Sequence, residues 1–201
     1  MNSIDITSVG RDRATDVAML IATAFADLEV ANWLVADRRE RIRALAGQFA
    51  MLVEHACSHG HVHTADDPDG HTVAAAVWFD YTKHVPEPPG YDERLPGITG
   101  EHLPRFQALD EAMAAHHPQE PHHHLAFIAT LPTHQGRGLG TALMNHHHPT
   151  LDRTGVAAYL EASNLRTRDL YIHHGYKVQS KTLALPEGGP VMWPMWRPPG
   201  G

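Results

Sequence analysis

The chain has 201 residues, 42% hydrophobic and 19% charged, enough for one soluble domain to bury a core without disulfides or a structural metal. Sixteen Lys and Arg against 23 Asp and Glu leave a formal charge of −7. Nucleic acid and anionic membrane are disfavoured as partners, because counterion release needs clustered positive charge. The 18 histidines would cancel much of that charge near pH ~6. A lone Cys57 excludes an intrachain disulfide and reads as a packed thiol on an apolar helix face. The opening MNSIDITSVGRDR shows no basic-then-apolar leader, and no apolar stretch approaches ~20 residues, so a cytoplasmic location is expected.

A short extended segment at residues 4–9 precedes an amphipathic helix on Ala14, Val17, Ala18, Ile21, Ala24, Phe25 and Leu28. A second helix runs from Asp37 through Ile42, Leu45, Phe49, Leu52 and Ala56 and ends at His59-Gly60. The next segment reads as a hairpin turning at DPDG, with Val73, Ala75, Val77, Phe79 and Tyr81 on one face of its second strand. Prolines and glycines over residues 84–100 predict a long, mobile surface loop. Leu103, Phe106, Leu109 and Met113 predict a third helix, followed by the strand HLAFIAT. From there the order is glycine loop, helix, strand, helix and two final strands. This alternation predicts an α/β fold around a partly parallel sheet, and with no repeat or linker the whole chain, 1–201, reads as one domain.

The most informative stretch is Gln135-Gly-Arg-Gly-Leu-Gly140, between a strand ending near Thr130 and a helical stripe on Leu139, Ala142 and Leu143. Glycines permit tight turning and close approach of a ligand, and the unpaired N–H groups of a first helical turn favour a phosphate. Arg137 adds a full charge beside them. No Gly-Lys-Ser/Thr follows, and the spacing is not G-x-G-x-x-G, which removes the P-loop and dinucleotide-binding readings. A tight structural turn is the alternative.

The spacing fits Q/R-x-x-G-x-G/A, and in it the chain resembles the GNAT superfamily of N-acetyltransferases, whose loop holds the pyrophosphate of acetyl-CoA. The likeness extends to the strand AAYLEAS, Asn164, Tyr171 seven residues later, and HHGYKV. Within the superfamily the motifs are most similar to the puromycin N-acetyltransferases: the early AFAD, His117-Pro-Gln-Glu-Pro121, LAFIATLPTHQGRGLG, LEAS and PEGGPVMWPMWRPPG follow in the same order. The departures are the histidine runs 122–124 and 146–148. Residues 25–35 and 80–100, which should face the acceptor, do not carry specificity over.

The resemblance implies a mixed, partly parallel sheet flanked by helices, with splayed strands holding acetyl-CoA. It implies that Ile128, Ala129 and Thr130 present backbone groups to the pantetheine arm. The Ile128 N–H would be the oxyanion donor, a contribution of roughly 3 kcal/mol. Gln135, Gly136, Arg137, Gly138, Leu139, Gly140 and Thr141 would hold the pyrophosphate, Asn164 the pantetheine, and Tyr171 would protonate the leaving thiolate. Deprotonating an alkylammonium acceptor costs about 4 kcal/mol at neutral pH. Glu161, at the end of its strand, is the first candidate base, acting through water; His124 and His122, on one strand face, follow. For each histidine the alternative is a solvated or packed side chain.

Adjacent histidines on a strand point to opposite faces, and His146–His148 fan around a helix without His-E-x-x-His, so no metal is expected. Phe25, Trp33, Trp78, Phe79 and Tyr81 are the aromatics that could meet a planar acceptor, although each taken singly is more often a core residue than a pocket one. The leading reading is transfer of acetyl from acetyl-CoA to the amine of a small molecule, an antibiotic or aminonucleoside among them, by a monomer or homodimer. The same fold allows an O-acetyltransferase or protein N-terminal acetyltransferase. A non-catalytic acyl-CoA-binding sensor and a histidine-based metal hydrolase are the readings from other classes.

Overall fold

The computed structural model describes residues 5–200. Residue 4, the first of the expected extended segment, lies outside them. The segment itself is a short strand, β1 (Ile6–Ser8). Helix α1 spans Ala14–Phe25, where the 3.6-residue stripe buries Val17, Ala18 and Ile21. The stripe stops short of Leu28, because a further short helix, α2 (Glu29–Leu34), begins there and was not foreseen. Helix α3 (Arg38–His59) starts where the sequence predicts: the Asp37 carboxylate accepts the N–H groups of Arg39 and Glu40, a standard N-cap.

Strands β2 (Gly60–Asp66) and β3 (Thr72–Asp80) form the expected hairpin. Asp67 Oδ1 accepts the N–H groups of Asp69 and His71, and Gly70 takes φ 81°, a conformation that suits glycine. β3 is buried on both faces. Ala75, Val77 and Phe79 meet the helices α1 and α3, while Ala74, Ala76 and Trp78 meet the other core. Val73 packs with that second core instead of joining the predicted face.

Residues 91–99 correct the expected surface loop. They form a helix, α4 (Tyr91–Thr99), despite Pro96. Leu95 and Thr99 are buried, and Ile98 sits so close to Gly47 of α3 that a Cβ there would lie 2.6 Å from its Cγ2. Tertiary burial outweighs the hydrogen bond that proline removes. Helix α5 (Leu103–His116) follows, then β4 (His122–Thr130), α6 (Leu139–Thr154), β5 (Ala157–Ala162) and α7 (Leu165–His173). Three short strands, not two, close the chain: β6 (Lys177–Val178), β7 (Leu183–Ala184) and β8 (Val191–Arg197).

The sheet order is β1-β2-β3-β4-β5-β8-β6, with β7 beside β8. Its neighbours are antiparallel except β4 and β5, which run parallel. Helices α1, α3 and α5 cover one face, α6 and α7 the other. Cys57 is half-buried against the first core, and burial raises its thiol, in keeping with a packed side chain.

Candidate active site

The parallel pairing of β4 with β5 lasts three residues, His122 to His124 against Ala157 to Tyr159. Beyond it the two strands separate. A bulge contributes to the parting: Trp78 pairs with Leu125 but Val77 with Phe127, so Ala126 is an extra residue that bends β4. Because of it, Ala126 and Phe127 both pack toward the α1/α3 core, while Leu125 and Ile128 pack on the other side. The edge of β4 facing β5 is left without a strand partner after His124, so backbone groups there remain open to a ligand.

A cavity of about 590 Å³ fills this opening, and Ile128, Ala129 and Thr130 line it. The glycine loop closes one end. Gly136 and Gly138 take φ 76° and 79°, where a Cβ would be strained, and Gly138 is the N-cap of α6. Gln135 Nε2 donates to Thr130 O at 3.3 Å and ties the loop to the strand end. Gln135, Gly136, Gly138, Leu139, Gly140 and Thr141 all line the cavity. Arg137 does not: its guanidinium turns back to Thr133 O at 3.2 Å. His134 and Arg166, which the sequence reading did not single out, line it instead. Only the fold brings Arg166, at the start of α7, to this cavity.

Asn164 caps α7, its Oδ1 accepting from Thr167 N at 2.9 Å, and Tyr171 lies two turns on; both line the cavity. Tyr171 is buried, and loss of hydration raises its phenol above the ordinary value, so it stays protonated at neutral pH.

Glu161 stands where the two strands part. Burial pushes its carboxyl up, but His124, whose Nε2 donates to Oε2 at 2.8 Å, and the Tyr159 hydroxyl more than offset this and hold it below the ordinary range. Its Oε1 is buried without a partner, and the residue lines the cavity. His124 lies behind it, outside the lining. His122 shares a face with His124 as expected but is fully buried: its Nδ1 donates to Glu120 O at 2.7 Å and its ring stacks on Tyr81. Burial lowers its basicity, and it does not reach the cavity.

His63, His123, His147 and His148 are buried as well. On the opposite face of the sheet a hydrogen-bonded chain runs from Ser8 to His63 (3.1 Å), His147 (3.1 Å) and His123 (3.0 Å), ending 3.3 Å from Asp80. His147 stacks on Trp78 at 4.2 Å. Desolvation lowers His63 to about 4 and His147 to about 2, so these rings are neutral at pH 7.

Past Glu161 the cavity enters an apolar chamber walled by α1, α2, α3 and α5. Residues 25–35 contribute Phe25, Leu28, Val30, Ala31 and Leu34, as expected, whereas residues 80–100 contribute nothing. Of the five aromatics that could meet an acceptor, only Phe25 lines the chamber; Trp33, Trp78, Phe79 and Tyr81 do not and pack elsewhere. Phe49 and Phe127 take their place, with ring centroids 4.6 Å apart. The α1–α2–α3 corner behind the chamber is held by Arg41. This buried guanidinium donates to the carbonyls of Val35 (2.8 Å), Ala26 (2.5 Å) and Ala36 (2.6 Å) and to the Asn32 side chain.

Residues 107–178 match the family model of the acetyltransferase (GNAT) domain, a span that includes the glycine loop, Glu161, Asn164 and Tyr171. Solved structures share the fold over nearly the whole chain. A Corynebacterium glutamicum protein described as histone acetyltransferase HPA2 and related acetyltransferase is 25% identical, with TM-score 0.75 over 99% of this chain and 98% of that one. The Drosophila melanogaster polyamine N-acetyltransferase is 18% identical, TM-score 0.57, covering 98% and 100%. Arylalkylamine N-acetyltransferase 2 from Aedes aegypti is 13% identical, TM-score 0.63, covering 98% and 99%. The mixed sheet with its flanking helices is the GNAT fold.

Proposed function

We propose that this chain, with its GNAT acetyltransferase domain, moves the acetyl group of acetyl-CoA to the amine of a small molecule, the whole of residues 1–201 acting as one unit. The parting of β4 and β5 above the glycine loop, with Glu161 at the junction, carries this reading. The loop and the N-terminus of α6 would take the pyrophosphate, with Arg166 supplying charge. The pantetheine arm would lie along Ile128, Ala129 and Thr130 and meet Asn164 through the amide nitrogen left over from capping.

Glu161 would receive the acceptor's ammonium at Oε1 and, directly or through water, its proton. His124 behind it donates Nε2–H to Oε2 and so orients the carboxylate; Glu161, which a lowered pKa makes a weak base, passes the proton on through water. The neutral amine attacks the thioester carbonyl and the C–N bond forms. The Ile128 N–H would hold the oxyanion, and as the C–S bond breaks the Tyr171 hydroxyl protonates the sulfur. Proton loss from the amine balances proton gain at the thiolate.

The resemblance to puromycin N-acetyltransferases supports an antibiotic or aminonucleoside as acceptor, in resistance or self-protection. None of the helices among the described residues is long and apolar enough to cross a membrane. A cytoplasmic location belongs to this proposal and rests on the sequence reading alone. The test is release of free CoA thiol from acetyl-CoA over a panel of amines. Turnover supports the transferase; CoA binding with no turnover on any amine supports a sensor of the same fold.

A further inference from the structure

Resting on that reading, we infer that the acceptor carries a single cationic amine on an apolar, ring-bearing body, and that Glu161 is the one carboxylate that meets it. Three rings form one side of the chamber: Phe49 lies 4.6 Å from Phe127, and Phe25 meets both nearly edge-on at 6.0 and 6.3 Å. A planar guest would find both ring edges and ring faces, the two arrangements aromatic groups favour. Leu34, Met113 and Met192 complete the wall, and the unbranched thioethers can adapt to bodies of different outline.

The polar inventory is short. Among the described residues lining the chamber, Gln48 and Glu161 bring the side-chain polar groups, and Gln48 already donates to the Tyr91 hydroxyl at 2.7 Å. The Glu161 Oε1, buried without a partner, is the one anionic acceptor in the chamber for an ammonium, whereas the Gln48 carbonyl oxygen is neutral. A second ammonium would be desolvated opposite leucines and phenylalanines with no counter-charge, and an aminoglycoside's hydroxyls would lose water without replacement. A peptide is disfavoured likewise, because its backbone amides would lose water against apolar side chains without replacement.

The experiment measures phenethylamine, spermidine, an aminoglycoside and a lysine-containing peptide by two readouts. These are CoA thiol release and the amine's Kd with CoA bound. Phenethylamine is expected to exceed spermidine by at least about 100-fold in both kcat/KM and affinity. Met113→Glu, at a half-buried wall position, should shrink that ratio below about 10-fold by weakening phenethylamine and strengthening spermidine. Equal or tighter binding of spermidine by the unaltered chain overturns the inference, and thiol release with spermidine would then leave the transferase reading standing. Preferential phenethylamine binding with no thiol release from any amine upholds the acceptor class and removes the transferase reading.

Discussion

At the scale of single residues, the proposed reaction rests on two groups whose environments move them in opposite directions. Tyr171 is held protonated by burial, which suits an acid and excludes a base. Tyr171→Phe should lower kcat by about 100-fold, leave the KM for acetyl-CoA within about twofold, and do so equally from pH ~6 to ~9. Full turnover by the variant in a thiol-release assay would remove the role. Glu161 is held ionised by its partners. Glu161→Gln should cost about 100-fold in kcat/KM without lowering the melting temperature, since it removes a buried charge and keeps the shape. Both residues were legible in the sequence because they sit at fixed spacing from the glycine loop on local elements. Phe49 and Arg166 were not. In α3, Phe49 has the same periodicity as any core residue, and only the bulge in β4 shows which side of the sheet opens beneath it.

At the scale of elements, α2 and α4 show why local signals fail. α4 contains Pro96 and Gly97 and is flanked by Gly90 and Gly100, yet burial of Leu95 and Thr99 holds it against α3. The corner joining α1, α2 and α3 depends on Arg41, one of four arginines in a run that reads as a solvated helix start. Arg41→Met removes the donors to three carbonyls and one amide oxygen and should destabilise by about 3 kcal/mol or more, measured by urea unfolding. The acceptor KM should rise with it, because Ala31, Leu34 and Leu45 form the adjoining chamber wall. The glycine loop is the reverse case, local in sequence and in space. Gly138→Ala forces a side chain to φ 79° at the start of α6, a strain of about 1–2 kcal/mol. Its acetyl-CoA Kd should rise about 10-fold by calorimetry, and an unchanged value would show that this turn does not shape the pyrophosphate site.

At the scale of the whole molecule, buried histidines govern stability against acid. His63, His117 and His148 fall to about 4 in the folded chain, chiefly through desolvation, against about 6.5 unfolded. The unfolded chain therefore binds more protons in between, so their stabilisation is complete above pH ~6.5 and is lost as the pH falls toward 4. His63 and His148 each contribute about 2 kcal/mol of that loss by pH 5, and the less buried His117 contributes less because solvent screens it. Asp110, raised by burial to about 6, acts in the opposite sense but is a single group. Asp152, lowered to about 2 by Arg197, loses its partner's support only below pH ~4. The melting temperature should drop by at least about 10 °C between pH 7 and 5, and His63→Leu should flatten that slope. A slope confined below pH 4 would assign acid sensitivity to carboxylates. The sequence by itself determined the α/β order, the hairpin, the N-cap of α3 and the loop-to-tyrosine motif, since each depends on residues near one another in the chain. Which histidines are neutral and buried, which aromatics face the chamber, and that His124 reaches Glu161 were decided only by the tertiary structure. Burial and hydrogen-bond partnership belong to groups that meet across the sheet, and no local spacing records them.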